Sequence, residues 1–321
     1  MKAVRIYEHG PPEVLRYEEL PEPQLTDGCA VVKLSAIGVN FTDVYVRSGL
    51  HKVDLPVVPG QEGAGIVTAV GSKAGDLRVG DVVGYTGALG AYAQYALVPG
   101  WRLVKLPRGL DEKMAAAVLL QGMTAHYLSH DTFPIKEGQT VLVQAGAGGV
   151  GLLLIQMAKR LGAHVISTTS SEEKASLVKD AGADDVIIYT KQDFEDEVKR
   201  ITGGAGVNVA YDSVGKTTFE KSMKCVARRG CVVVFGQSSG LVPPVSTMEL
   251  SNGSRFLTRP MLGDYTSTRD ELVRRASDVF DMVKSGTLKV RIFKTLPLSQ
   301  AVEAHRLLEG RRTTGKLLLL P

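Results

Sequence analysis

Apolar residues run along this chain in two different rhythms. Over the first 110 residues they form short strand-like stretches, at 3–7, 30–37, 65–70, 81–85 and 92–98. Clusters such as Gly10-Pro11-Pro12 and Pro59-Gly60 separate them. Many short β segments at this spacing predict a compact barrel. From about residue 113 the period lengthens. A helical segment at 111–129, with Gly122 in its middle, leads into alternating strands (139–144, 163–168, 185–189, 207–212, 230–235) and helices (150–161, 171–181, 194–201, 217–227). Such alternation means βαβ units with right-handed crossovers and a parallel sheet. Val232-Val233-Val234-Phe235 is apolar on both faces, as a sheet covered on both sides requires. After Arg259-Pro260 the pattern becomes irregular, with helices at 269–285 and 299–309 and a last strand at 316–320. This tail is expected to return to the N-terminal barrel. The expected fold class is α/β, with a barrel domain formed by 1–122 and 261–321 and a doubly wound parallel-sheet domain at 123–260.

Composition fits a soluble globular protein: 44% of residues are hydrophobic and 22% charged. The longest apolar stretches, 114–120 and 150–155, fall short of the roughly 20 residues of a membrane span. A net charge of +4 suits an anionic small-molecule ligand and does not call for nucleic acid. Cys29, Cys225 and Cys231 show no CxxC pairing and are expected to be buried thiols of a reducing compartment. The segment MKAVRIYEHG lacks the apolar core of a signal peptide, so a cytoplasmic location is expected. One quantity is out of line. The 35 glycines in 321 residues are about 11%, against an average near 7%.

Part of that excess lies in Ala145-Gly146-Ala147-Gly148-Gly149-Val150-Gly151, which follows a hydrophobic strand and opens an amphipathic helix. Gly146, Gly148 and Gly151 form GxGxxG. The first permits a tight turn, the second lets backbone approach a pyrophosphate, and the third lets helix and strand pack closely. The helix N-terminus adds N–H donors and positive dipole. In this context the loop predicts dinucleotide binding. NAD-binding chains place an acid about 20 residues further on, to bond the ribose 2′-hydroxyl. Here the strand tip reads Thr168-Thr169-Ser170-Ser171, followed by Glu172-Glu173-Lys174. A 2′-phosphate would not be repelled there; Ser170 can donate to it and Lys174 can supply the counter-charge. NADPH is therefore expected over NADH. Ser170 and Glu173 also fit a capping box.

The ordered set Gly38-Val39-Asn40-Phe41-Thr42-Asp43, Gly60-Gln61-Glu62-Gly63-Ala64-Gly65, Val79-Gly80-Asp81-Val82-Val83, Gln121-Gly122-Met123-Thr124-Ala125, the glycine loop, Asp212-Ser213-Val214-Gly215, Phe235-Gly236-Gln237-Ser238-Ser239-Gly240 and Thr258-Arg259-Pro260 spans the chain. With these landmarks the chain resembles the medium-chain dehydrogenase/reductase superfamily, and within it the zeta-crystallin-like NADPH:quinone oxidoreductases. The resemblance implies a GroES-like catalytic barrel made from both chain ends plus a Rossmann domain. The superfamily's zinc alcohol dehydrogenases place Cys in the Asn40 slot and His in the Gln61 slot, at the same spacing of 61 − 40 = 21 residues. Carboxamides are poor zinc ligands, and His126 and His130 lack a third ligand, so no metal is expected. Without a Lewis acid, alcohol oxidation is poorly served. A quinone accepts hydride more readily, because reduction restores aromaticity.

The resemblance also implies roles. Asn40 and Gln61 would orient nicotinamide or acceptor oxygen, and Tyr45 would stack on or donate to the acceptor. Thr124 and Tyr127 would lie near the nicotinamide or its ribose, and Gly148, Gly149 and Val150 near the pyrophosphate. Ser170, Lys174 and Tyr189 would take the 2′-phosphate end, and Ser213, Phe235, Gly236 and Ser238 the nicotinamide side. Thr258 and Arg311 would close over the cofactor, with Arg312 competing for the latter role. Relatives imply a homodimer through the Rossmann sheet edge, with Gly230–Phe235 as the candidate strand. Two alternatives stay open. One is an enoyl or alkenal double-bond reductase, which needs a proton donor such as Tyr45. The other is a structural or RNA-binding crystallin-like protein, for which the basic cluster Lys289, Arg291, Lys294, Arg306, Arg311, Arg312 and Lys316 is the only support.

Overall fold

A computed structural model describes residues 1–321. The chain divides into two compact units: Met1–Met123 with Thr266–Pro321, and Thr124–Tyr265. The first unit opens with β1 (Lys2–Arg5), β2 (Arg16–Glu19), β3 (Cys29–Val39) and α1 (Phe41–Ser48). Then come β4 (Glu62–Val70), β5 (Val82–Thr86), β6 (Tyr95–Pro99), β7 (Val104–Lys105) and α2 (Glu112–Tyr127), which leads into the second unit. The second unit alternates β8 (Thr140–Val143), α3 (Gly149–Arg160), β9 (His164–Thr169), α4 (Glu172–Asp180), β10 (Asp185–Ile188) and α5 (Phe194–Ile201). It continues with β11 (Val207–Asp212), α6 (Phe219–Cys225), β12 (Val226–Val234), α7 (Thr247–Ser251) and β13 (Phe256–Thr258). The chain then rejoins the first unit with α8 (Arg269–Lys284), β14 (Ile292–Pro297), α9 (Ala301–Glu309) and β15 (Lys316–Leu320).

The first unit is the GroES-like domain. β3 is its spine: Lys33 and Ser35 face out while Ala30, Val32, Leu34, Ala36 and Ile37 are buried, the alternation of a strand with one solvated face. One side of β3 pairs with β4, and the other is shared by β6, along Cys29–Lys33, and β15, along Ile37–Val39. The closing segment of the chain thus lies against the end of β3, where Asn40 begins α1. Burying a side chain such as Leu317, Leu318 or Leu319 stabilises the fold by about 1.5–3 kcal/mol each.

The second unit is a six-stranded parallel sheet in the order β10-β9-β8-β11-β12-β13, the doubly wound nucleotide-binding order. Here the candidate edge strand needs correction: Cys231–Val233 pair with Phe256–Thr258, so β13, not Gly230–Phe235, is the outer strand. The helix expected at 217–227 also stops earlier, at Cys225. β12 starts at Val226 and then bulges. While β11 advances from Val207 to Val209, β12 runs from Val226 to Cys231, and the extra residues carry Arg228 and Arg229 outward. At the end of α2, Leu128–Thr132 widens into a π-turn. Tyr211 on β11 fastens this turn by donating its hydroxyl to the Leu128 carbonyl.

Candidate active site

In the second unit, the glycine loop leaves β8 and folds back beneath β9. The Ala145 and Gly146 N–H groups donate to Thr168 Oγ1 and to the Thr168 carbonyl, at 3.2 and 3.0 Å. A Cβ on Gly146 would lie 2.0 Å from Ser167 Oγ, and one on Gly151 would lie 2.7 Å from the Ala145 and Gly146 carbonyls. Both glycines are therefore forced by packing. Gly148 is different, for a Cβ there meets only the Ala145 carbonyl, at 3.2 Å. Gly148 is also the N-cap of α3 and offers no side chain to its first N–H groups, which have no partners within a helix. Gly148, Gly149 and Val150 are partly exposed. This is a backbone cradle for a phosphate group, and it fits a dinucleotide.

Ser170, Lys174 and Tyr189 come together at the carboxyl ends of β9 and β10. The Tyr189 N–H donates to the Thr169 carbonyl and the Thr190 hydroxyl to the Ser170 carbonyl, both at 3.0 Å. The expected capping box does not form: Ser171, not Ser170, is the N-cap of α4 and accepts from the Lys174 N–H, and Lys174 in the N3 position cannot return a bond as Glu or Gln would. Ser170 keeps its hydroxyl for other partners. Nearby, the Glu172 carboxylate is paired with Lys191 at 2.7 Å.

Ser213, Gly236 and Ser238 also meet, at the ends of β11 and β12. The Ser238 N–H donates to the Ser213 carbonyl at 3.2 Å. A Cβ on Gly236 would lie 2.6 Å from that carbonyl, so glycine alone permits the approach. Phe235 is held by its N–H to the Asp212 carbonyl, and Thr258, the last residue of β13, pairs with Val233 on β12. Thr124 and Tyr127 are buried on α2, and the Tyr127 ring stacks on Tyr265 at 4.3 Å. Arg311 and Arg312, in the first unit, are exposed in the turn after α9.

The first unit also holds Asn40, Tyr45 and Gln61, in three different settings. Tyr45 is buried, edge-on to His51 at 5.2 Å and near Phe41. Gln61 is half-buried and donates from Nε2 to Thr42 Oγ1 at 3.1 Å, leaving its amide oxygen open. Asn40 differs from expectation. Its Nδ2 donates to Glu62 and to the Gly38 carbonyl, at 2.8 and 3.3 Å. Its Oδ1 accepts from Lys316 and Gln121, at 2.8 and 3.4 Å. Every donor and lone pair of the carboxamide is spent inside the fold, so it has none left to orient a nicotinamide or an acceptor.

What sequence reasoning missed is the ion pair behind Asn40. Lys316 Nζ touches Glu62 Oε2 with both side chains at 1% exposure or less. Glu62 Oε1 accepts from the Leu120 N–H at 2.7 Å. A lysine heading four leucines, and a glutamate inside Gly60-Gln61-Glu62-Gly63, were the available signals. The C-terminal basic cluster is accordingly not one face: Lys316 is buried, and Arg306 pairs with Glu13.

A second buried chain begins at the same residue. The Asn40 N–H donates to Asp43 Oδ2, which also accepts from the Tyr92 hydroxyl at 3.1 Å. Tyr92 lies 3.0 Å from His305 Nε2, and Arg47, held in both its N–H groups by Glu309, reaches His305 Nδ1 at 3.4 Å. With Arg47 as donor, Nδ1 must accept, so Nε2 carries the proton. Burial raises the Asp43 carboxyl to about 7 and, with Arg47 adding to it, lowers His305 to about 3.

Residues 26–108 match the family described as alcohol dehydrogenase GroES-like domain, and residues 149–278 the zinc-binding dehydrogenase family. The residues do not fit the zinc of that second description. Asn40 and Glu62 already hold the Lys316 ammonium between them, and the fold gathers no group of three His, Cys, Asp or Glu side chains suited to a metal. A quinone oxidoreductase of Pseudomonas aeruginosa is 43% identical over 100% of this chain and 99% of its own length. A 2-haloacrylate reductase of a Burkholderia species is 41% identical over 99% and 98%. The structure of Escherichia coli quinone oxidoreductase complexed with NADPH superposes with a TM-score of 0.97 at 41% identity, covering 100% of both chains.

Opposite pH slopes follow from the buried chain. Asp43, raised above its ordinary 3.8, binds its proton more tightly when folded, so its contribution to stability is present below pH 4 and lost as pH rises towards 7. His305, lowered below its ordinary 6.5, contributes stability present above pH 6.5 and lost as pH falls towards 3. The two largely offset one another between pH 4 and 6.5. Asp43→Asn should leave stability rising with pH in that window and His305→Gln should leave it falling, each by up to about 1.4 kcal/mol per pH unit. Urea unfolding at several pH values measures both, and slopes of the same sign in the two variants would refute the assignment.

Proposed function

The chain belongs to the medium-chain dehydrogenase/reductase superfamily, in its quinone oxidoreductase group, and on that premise we propose that it reduces quinones with NADPH without a metal. The observation that carries this reading is the donor set around Asn40. Where zinc-dependent relatives place a ligand, this chain has a carboxamide already saturated by a lysine and a glutamate, so the acceptor must take hydride without Lewis-acid help. A quinone satisfies that requirement, since its oxygens take up protons from water and the ring becomes aromatic.

NADPH, when bound, supplies the hydride from C4 of its nicotinamide. Gly148, Gly149 and Val150 hold the pyrophosphate on the α3 N-terminus, and Ser170, Lys174 and Tyr189 surround the 2′-phosphate. Ser213, Phe235, Gly236, Ser238 and Thr258 line the nicotinamide side, and Thr124 and Tyr127 support its ribose. Gln61, with its free amide oxygen, and Tyr45 face the acceptor; Asn40 positions rather than touches. Reduction of an activated C=C bond is the second reading, favoured by the 2-haloacrylate reductase relative. It requires a proton for the α-carbon, for which Tyr45 is the candidate donor.

The three cysteines form no disulfide, and burial pushes Cys225 to about 12 and Cys231 to about 11. Inert thiols of this kind suit a reducing cytoplasm, and no helix is long and apolar enough to cross a membrane. For assembly we infer a homodimer through β13. The strand is an open sheet edge, and Leu241, Met248 and Phe256 in its neighbourhood along the chain are 61, 74 and 60% exposed.

Three measurements test these readings. Turnover of NADPH with 1,4-benzoquinone and 9,10-phenanthrenequinone should exceed that with 2-haloacrylates and alkenals, and should survive dialysis against a chelator; the reverse preference would favour the second reading. Lys174→Glu should raise the Michaelis constant for NADPH by about tenfold or more while changing that for NADH little; equal shifts would remove Lys174 from the phosphate site. Sedimentation should give twice the 34.4 kDa chain mass for the wild type and the single-chain mass for Phe256→Glu. A monomeric wild type would contradict the dimer.

A further inference from the structure

The amino ends of the parallel strands, opposite the glycine loop, carry a cavity. Its volume is about 380 Å³, and Phe133, Pro134, Lys136, Gln139, Asn208, Arg228 and Arg229 line it. No acid is among them. The side chains of Lys136, Arg228 and Arg229 make no hydrogen bond or ion pair within the fold. Both carboxamides are turned the same way electrostatically. Gln139 Oε1 accepts from the Lys136 N–H and Asn208 Oδ1 from the Thr140 N–H, each at 2.8 Å, so both oxygens are turned to the backbone and both NH₂ groups keep their donors for a ligand.

The bulge in β12 is what delivers the two arginines. Arg229 is held at φ 60, a left-handed conformation that strains a residue with a side chain, and its N–H is fixed on the Gly253 carbonyl at 2.7 Å. A fourth cation adjoins. A Cβ on Gly253 would lie 3.6 Å from Arg228 Cα and 3.7 Å from Arg255 Nε, and that Nε is buried without a partner. Like charges gathered on one face repel one another, and none of these four cations has an ion-pair partner within the fold.

We propose that this cavity binds a phosphoryl-bearing small anion, at a site separate from the dinucleotide cradle. Lys136, Arg228 and Arg229 supply the charge, Gln139 and Asn208 supply neutral donors, and Phe133 with Pro134 forms an apolar wall. A chain of phosphoryl groups presents several acceptor oxygens and negative charges at the spacing that forked guanidinium donors match.

Calorimetry on the full-length protein saturated with NADP⁺ tests this, with tripolyphosphate as the probe and ionic strength held constant with sodium chloride. One site per chain should appear. Lys136→Ala with Arg228→Ala should weaken it about a hundredfold, roughly tenfold for each charge-assisted hydrogen bond removed, with NADP⁺ affinity unchanged. Arg229→Gly, which relieves the backbone while removing the cation, should weaken it about tenfold. If ATP binds more tightly than tripolyphosphate, the apolar wall holds a base; equal affinity assigns the site to the phosphate chain alone. No binding to the NADP⁺-saturated protein at millimolar probe would overturn the proposal. So would undiminished binding in the variants, or displacement of NADP⁺ by the probe.

Discussion

The catalytic unit is organised around one interaction, the buried pair of Lys316 and Glu62. Taking two charges out of water costs several kcal/mol per ion, and attraction offsets that only when further hydrogen bonds complete the geometry. Here they do. Glu62 receives the Leu120 N–H and the Asn40 amide, and Lys316 gives a second hydrogen bond to Asn40. Four segments are thereby fastened at one point: β4, α2, the start of α1, and β15. Gly38 makes the space, because a Cβ there would lie 2.2 Å from Glu62 Oε2. An arrangement so fully committed is rigid, and it includes Asn40, the slot in which the resemblance places a cysteine in zinc alcohol dehydrogenases.

Asn40 joins this pair to the second chain, since its N–H holds Asp43 while its side chain serves Glu62 and Lys316. Through Tyr92, His305 and Arg47 the same residue is linked to Glu309 at the end of α9. Neither chain resembles the dinucleotide cradle. There the fold leaves donors open on the first turn of α3, and glycines keep side chains away. The protein thus separates two tasks: saturated polar networks fix the catalytic scaffold, and unsatisfied backbone groups wait for the cofactor.

How much of this was legible in the sequence depends on distance along the chain. The alternation of strand and helix from β8 to β12 is local and periodic, and the glycine loop announces itself within seven residues. Right-handed crossovers then leave little freedom in strand order. β13 escaped because three residues carry no readable period, and with it went the identity of the sheet edge. Lys316 read as part of a basic surface because charge in a sequence normally means solvent, and its counter-ion lies 254 residues away. Asn40 stands out by its motif, but the saturation of its carboxamide is a property of neighbours that only folding brings together.

That separation of 254 residues has a temporal meaning. A ribosome working at 5–20 residues per second needs roughly 13 to 50 s to travel from Glu62 to Lys316. Throughout that interval β4 carries a carboxylate with no cation to join, and β3 lacks β15 on one side. The second unit, Thr124–Tyr265, is continuous and emerges entire within the same interval. During synthesis the inserted domain is therefore born first as a finished object. The catalytic domain, although its strands appear earliest, stays open until the last turn of the chain delivers the ammonium that closes it.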